Sequence, residues 1–108
     1  MFLKINKIIE ENSDIKTFVF KKGNIKFKPG QFLRYTFNIQ DPRGNYRSFS
    51  VASSPTENFL MISTKISESP FKQMLDMLKI SDEIEATGPY GNFVLDEHGR
   101  RILHHDLD

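Results

Sequence analysis

Residues 47–55 read Arg-Ser-Phe-Ser-Val-Ala-Ser-Ser-Pro, RSFSVASSP, and their composition is wrong for an ordinary core strand. In an extended chain successive side chains point to opposite faces. Arg47, Phe49 and Val51 therefore share one face, and Ser48, Ser50 and Ala52 share the other. One face sets a guanidinium beside a ring while the other stays small and hydroxylated. A molecule both flat and charged would use the two together.

The same period of two recurs outward from this stretch. FLKINKII, DIKTFVF and QFLRYTFNI precede it; FLMISTKI, DEIEA and NFVL follow, all rich in Ile, Val, Phe, Tyr and Thr. Turn signals separate the runs at Asn12-Ser13-Asp14, Lys22-Gly23-Asn24, Lys28-Pro29-Gly30, Asp41-Pro42-Arg43-Gly44-Asn45, Ser53-Ser54-Pro55 and Gly88-Pro89-Tyr90-Gly91. Short strands at this spacing predict an all-β chain, a small antiparallel barrel or sandwich. One segment departs from the pattern. In SPFKQMLDMLKI the apolar Phe71, Met74, Leu75 and Leu78 stand at helical spacing, with Ser69 placed to cap and Pro70 at the first position. This predicts one short α-helix, from about Pro70 to Lys79.

The 108 residues suffice for one domain with a modest core. Fifteen Lys plus Arg against fourteen Asp plus Glu give a net charge of +1, and the cations are dispersed, which argues against a nucleic-acid or membrane surface. Any anion site is local. The absence of Cys excludes disulfides, thiolate metal sites and iron–sulfur ligation, so redox chemistry needs a bound cofactor. Lys4, Asn6 and Lys7 interrupt the apolar N-terminus, and no segment approaches the roughly 18 apolar residues of a membrane span. A soluble, cytoplasmic protein is expected.

Two candidate site residues have two readings each. Lys72 falls in the first helical turn, where the helix dipole disfavours a cation by about 0.3–1 kcal/mol. A phosphate held by Lys72, the Ser69 hydroxyl and free backbone N–H groups would offset that; so, weakly, would an ion pair with Asp76. Arg47 either meets a ligand or pairs with a surface carboxylate, and Phe49, one of ten phenylalanines, is by itself simply core. In the C-terminal segment His98, His104 and His105 accompany Asp96 and Asp106, but adjacent histidines point in different directions and no metal site is expected. Gly88 and Gly91 read as turn residues rather than as a phosphate loop. No Ser-His-Asp or paired-carboxylate arrangement stands out.

Taken together, RSFSVASSP, the preceding KPGQFL and the following LMISTKI and SPFKQMLDMLKISDEIEATGPYGNFVL resemble the FAD-binding domain of the ferredoxin-NAD(P) reductase superfamily, from the first strand to Leu95. The resemblance implies a six-stranded antiparallel Greek-key barrel with one short α-helix between the fifth and sixth strands. It implies an FAD-binding barrel over residues 1–97. Residues 98–108 are then a tail, flexible or the start of an NAD(P)-binding domain not contained in these residues. By the same resemblance Arg47 contacts the FAD pyrophosphate, Phe49 packs on the isoalloxazine, and Ser50 lies near flavin N5 as the catalytic residue, with Ser48 beside it. Thr64, Lys65 and Ile66 run along the ribityl chain or adenosine, and Ser69, Phe71 and Lys72 meet the pyrophosphate. Phe49 stands where Tyr is usual, and Lys72 where many members carry Ser or Thr.

The implied function is an FAD-dependent oxidoreductase domain, FMN being the less favoured flavin, that relays electrons between NAD(P)H and an iron–sulfur, haem or other acceptor. NAD(P)H would act only through another domain or a partner protein, so the chain is not expected to be competent alone. A flavin-free barrel serving as a binding or interaction module is the alternative.

Overall fold

The computed structural model describes residues 1–95 and 101–104. Along the chain run β1 (Phe2–Glu10), β2 (Ile15–Lys21), β3 (Phe32–Thr36), β4 (Tyr46–Ser50), β5 (Phe59–Lys65), α1 (Pro70–Asp76), β6 (Glu83–Tyr90), β7 (Asn92–Leu95) and β8 (Arg101–His104). The first six strands form one sheet in the order β4-β3-β6-β1-β2-β5, every neighbouring pair antiparallel. β6 thus returns late in the chain to lie between β3 and β1, the long connection of a Greek key. The sheet curls without closing into a continuous ladder. At its seam the N–H of Ala52, just past β4, donates to the Met61 carbonyl of β5 at 2.7 Å. β7 and β8 pair separately, Asn92 opposite His104, so four residues of the segment expected as a tail form a strand.

Alternation decides what is buried. Leu3 and Ile5, Phe18 and Phe20, Leu33 and Tyr35, Leu60 and Ile62, and Ile84 and Ala86 are each two apart on their strands and all point into one core. Burying a side chain of the Leu or Phe class contributes about 1.5–3 kcal/mol, which is what rolls the sheet over these residues. Phe71 and Leu75 of α1, both fully buried, cover one end of it.

The helix begins as its sequence predicts. Ser69 is extended (φ −62°, ψ 148°), its hydroxyl accepts from the Lys72 N–H at 3.3 Å, and Pro70 follows. It ends at Asp76, with Met77 as its cap, earlier than Lys79. The Asp82 carboxylate accepts from the Lys79 N–H at 2.8 Å, drawing Lys79 into the turn that leads to β6. Leu78 still packs on the core although it lies beyond the helix, so its helical spacing marks burial rather than conformation.

Gly88 lies within β6, at φ 120°, beside the register shift between β6 and β3. A Cβ there would stand 3.1 Å from Leu33 Cδ2 and 3.2 Å from the Phe32 carbonyl oxygen. Both the backbone angle and the space require glycine.

Candidate functional site

β4 pairs with β3 so that Arg47 faces Tyr35 and Phe49 faces Leu33, while Ser48 lies opposite Arg34 and Ser50 opposite Phe32. Arg47 and Phe49 are half-buried and Ser48 and Ser50 exposed, the face assignment that alternation predicts.

Arg47 is held on three sides. Its NH1 donates to the carbonyls of Gly44 at 2.8 Å and Tyr46 at 2.7 Å, and its NH2 donates to Asp41 Oδ2 at 3.1 Å. The guanidinium carbon lies 5.1 Å from the centre of the Phe71 ring. Its ion-pair partner is not a surface carboxylate, because the Asp41 side chain is only 1% exposed. Asp41 also accepts from the Arg43 N–H through Oδ1 at 2.8 Å and from the Phe71 N–H through Oδ2 at 3.0 Å. These two backbone donors, more than the neighbouring Arg47 charge, hold its carboxyl below the usual carboxylate range.

Lys72 does not pair with Asp76. Asp76 pairs instead with Lys16 at 2.6 Å, and the Lys72 ammonium donates to Thr64 Oγ1 at 2.8 Å and to the Lys65 carbonyl. It also stands 5.5 Å above the Phe49 ring. Burial first, and then the charges of Arg47 and Arg43, lower its pKa. Arg43, Arg47 and Lys72 against Asp41 make three cations and one carboxylate, an excess of two positive charges among these side chains.

The start of α1 offers fewer donors than its sequence suggests. The Phe71 N–H is taken by Asp41, the Lys72 N–H by Ser69 Oγ, and the Gln73 N–H by the Ser69 carbonyl. The Phe71 ring is fully buried against Phe37, with centroids 4.8 Å apart, so it supports the site from beneath. Phe49 leans on Tyr35 at 5.7 Å and on Phe71 at 6.3 Å and keeps part of its surface open. Thr64 is buried, Lys65 is exposed, and the Ile66 N–H donates to the Asp14 carbonyl at 2.7 Å.

The fold therefore brings Arg47, Phe49, Thr64, Lys65, Ser69, Phe71 and Lys72 to one flank. Ser48 and Ser50 lie across β4 on the outer face, in register with Arg34 and Phe32. There Arg34 sits between the rings of Tyr46, 4.7 Å away, and Tyr90, 5.2 Å away. Asp41, Arg43 and Arg34 were not candidates from the sequence. The first two stand in a turn signal, DPRGN, which gives them a sufficient local role. Among the described residues no cluster of His, Asp or Glu could hold a metal ion, and Asp96, His98, His105 and Asp106 lie outside those residues.

The sequence profile of the oxidoreductase FAD-binding domain family matches residues 2–95. The chain belongs to that family. The FAD-binding domain is 35% identical over 77 residues to the reductase component of propane 2-monooxygenase from Mycolicibacterium goodii, covering 68% of this chain and 21% of that one. It thus spans about a fifth of that relative. The fold is shared with the cytochrome b5 reductase domain of Ulva prolifera nitrate reductase (TM-score 0.73, 17% identity, 94% of this chain and 47% of that one). It is shared also with a ferredoxin NADP+ reductase from Neisseria gonorrhoeae solved with bound FAD and NADP (TM-score 0.68, 24% identity, 82% and 38%). The residues of this domain suit the cofactor of its family. FAD carries two negative charges on its pyrophosphate and a flat ring at one end. The chain offers two excess positive charges beside a partly open phenyl ring. No helix among the described residues is long and apolar enough to cross a membrane.

Proposed function

We propose that this FAD-binding domain serves an oxidoreductase that relays electrons between NAD(P)H and an iron–sulfur, haem or other acceptor. The nicotinamide reaches the flavin from another domain or a partner protein. The observation that carries this reading is the cluster of Arg43, Arg47 and Lys72 beside Phe49, a charge pattern matched to a dinucleotide diphosphate joined to an aromatic ring. When bound, FAD supplies the capacity to take two electrons from a nicotinamide and to release them singly.

In this reading Arg47 and Lys72 hold the pyrophosphate, with Arg43 adding charge at the rim. The open surface of Phe49 bears on the isoalloxazine. Ser50, with Ser48 beside it, is the hydroxyl assigned to N5; it lies across β4 from Phe49, so the isoalloxazine has to pass the edge of β4 to meet it. Thr64, Lys65 and Ile66 lie toward the ribityl chain or adenosine. Ser69 and Phe71 act from within, by capping α1 and by carrying Arg47. We assign residues 1–97 to this domain and 98–108 to the segment that follows it, and we place the protein in the cytoplasm, a setting that a Cys-free chain suits and that cell fractionation would test. For the relay itself, the FAD-loaded chain, reduced photochemically, is mixed with iron–sulfur and haem proteins. Reoxidation well above the rate for free reduced FAD is expected with at least one of them. Rates no faster than free flavin with every acceptor would count against the relay.

Lys72 makes the binding pH-dependent. Its pKa is depressed in the free protein, and a bound pyrophosphate, adding negative charge nearby, raises it again. Binding therefore takes up a proton wherever free Lys72 is partly deprotonated. FAD affinity is expected to be flat near neutrality and to fall as pH rises through the alkaline range. Lys72→Met should weaken binding at neutral pH and remove that slope; fluorescence titrations of both proteins across the range check it.

A further inference from the structure

We propose that the Asp41 carboxylate is a resident anion in the pyrophosphate subsite, and that full seating of FAD requires a phosphate oxygen to take Arg47 from it. The proposal rests on the FAD-binding reading above and concerns how that site is regulated.

A single oxygen, Asp41 Oδ2, accepts from both the Arg47 guanidinium at 3.1 Å and the Phe71 N–H at 3.0 Å. A guanidinium and a main-chain N–H converging on one anionic oxygen is also how proteins grip phosphate. Asp41 Oδ2 holds that place in the free protein, its side chain 1% exposed. It also remains charged through the neutral range, because its backbone donors stabilise the anion. A pyrophosphate brought to the same guanidinium meets a like charge at close range, in a partly desolvated setting where screening is weak.

Arg47 has supports besides Asp41. NH1 is held by the Tyr46 carbonyl on β4 itself, and by Gly44. Asp41 belongs to the loop between β3 and β4, a tight unit closed by the Gly44 N–H on the Asp41 carbonyl at 2.8 Å and by the Arg43 N–H on Asp41 Oδ1. Withdrawal breaks the two Oδ2 contacts and leaves this local turn whole. An open hollow lined by Ile39, Gln40, Asp41, Pro42 and Asn45 lies on the same loop. Such a device keeps the cationic cluster partly neutralised in the apo-protein and sets FAD affinity below what Arg47 alone would give.

The test compares Asp41→Asn, which keeps the shape and removes the charge, with the wild type, using FAD and riboflavin, which has no phosphate. Asp41→Asn is expected to tighten FAD by about tenfold, the scale of one charge-assisted hydrogen bond gained or lost, with riboflavin affinity unchanged. FAD affinity in the variant equal to or below that of a wild type that binds FAD would overturn the proposal. A wild type that fails to bind FAD would overturn the functional reading itself. A second readout on the wild type avoids any folding defect of the variant. On saturation with FAD, the pH titration of the Asp41 carboxyl carbon, followed by NMR, is expected to move up toward the ordinary aspartate range; a titration that does not move would also overturn the proposal.

Discussion

Arg47→Ala is expected to weaken FAD binding by about 1.5–3 kcal/mol, roughly tenfold to 150-fold, the range for hydrogen bonds to charged groups. The guanidinium supplies one of the two excess charges of the cluster, and its fork suits two phosphate oxygens as no other side chain here does. Riboflavin, which lacks the pyrophosphate, should be affected far less. The structure adds a second expected result. Removing Arg47 leaves the enclosed Asp41 carboxylate with backbone donors only, so Arg47→Ala should also melt at a lower temperature. Pairing it with Asp41→Asn should restore much of the melting temperature without returning FAD affinity to the wild-type value. Fluorescence titrations and thermal melts on the three variants separate the two effects. A folded Arg47→Ala that binds FAD as the wild type does would remove Arg47 from the site.

Phe71→Ala should produce the largest loss of stability, about 3–5 kcal/mol, a large part of the roughly 5–15 kcal/mol that holds a domain of this kind together. Its ring is fully buried, 4.8 Å from Phe37 and 6.3 Å from Phe49, and the Arg47 guanidinium rests against it. Truncation opens a cavity under the end of the barrel and removes the surface that carries two proposed ligand contacts. Phe71→Leu fills most of that space and should cost only about 1–2 kcal/mol. Urea unfolding measures both losses. If Phe71 acts from beneath, the leucine variant keeps FAD affinity within a few-fold; a large loss of FAD at near-native stability would mean that the ring meets the cofactor directly.

What the sequence made legible followed from short periods. The two-residue alternation in RSFSVA placed Arg47 and Phe49 on the inner side and the serines on the outer side, because a strand leaves no third option. The cap at Ser69 and Pro70 set the start of α1, since both act locally. The end of α1 was less legible. Leu78 continues the helical spacing, but the Asp82 carboxylate turns the chain first. The partners of Lys72 and Asp41 depend on where distant segments meet: Thr64 from β5, and the Phe71 N–H thirty positions from Asp41. Asp41 and Phe71 are too far apart for any short window, and the eight positions from Thr64 to Lys72 carry no period that would pair them. Asp76 shows the same limit, since Lys16, on a strand far earlier in the chain, takes the carboxylate that Lys72 could have used. The insertion of β6 between β3 and β1 is likewise a long-range pairing that period alone does not disclose, and only the resemblance across the ordered motifs anticipated it.

The central claim, that the Arg43, Arg47 and Lys72 cluster beside Phe49 holds FAD by its pyrophosphate, is tested most directly by titrating the purified chain with FAD, FMN and riboflavin in a calorimeter at one pH and ionic strength. The account predicts one FAD per chain, with affinity falling from FAD to FMN to riboflavin as phosphate is removed, and with the FAD advantage shrinking as salt is raised. Absence of FAD binding, or riboflavin bound as tightly as FAD, would contradict it.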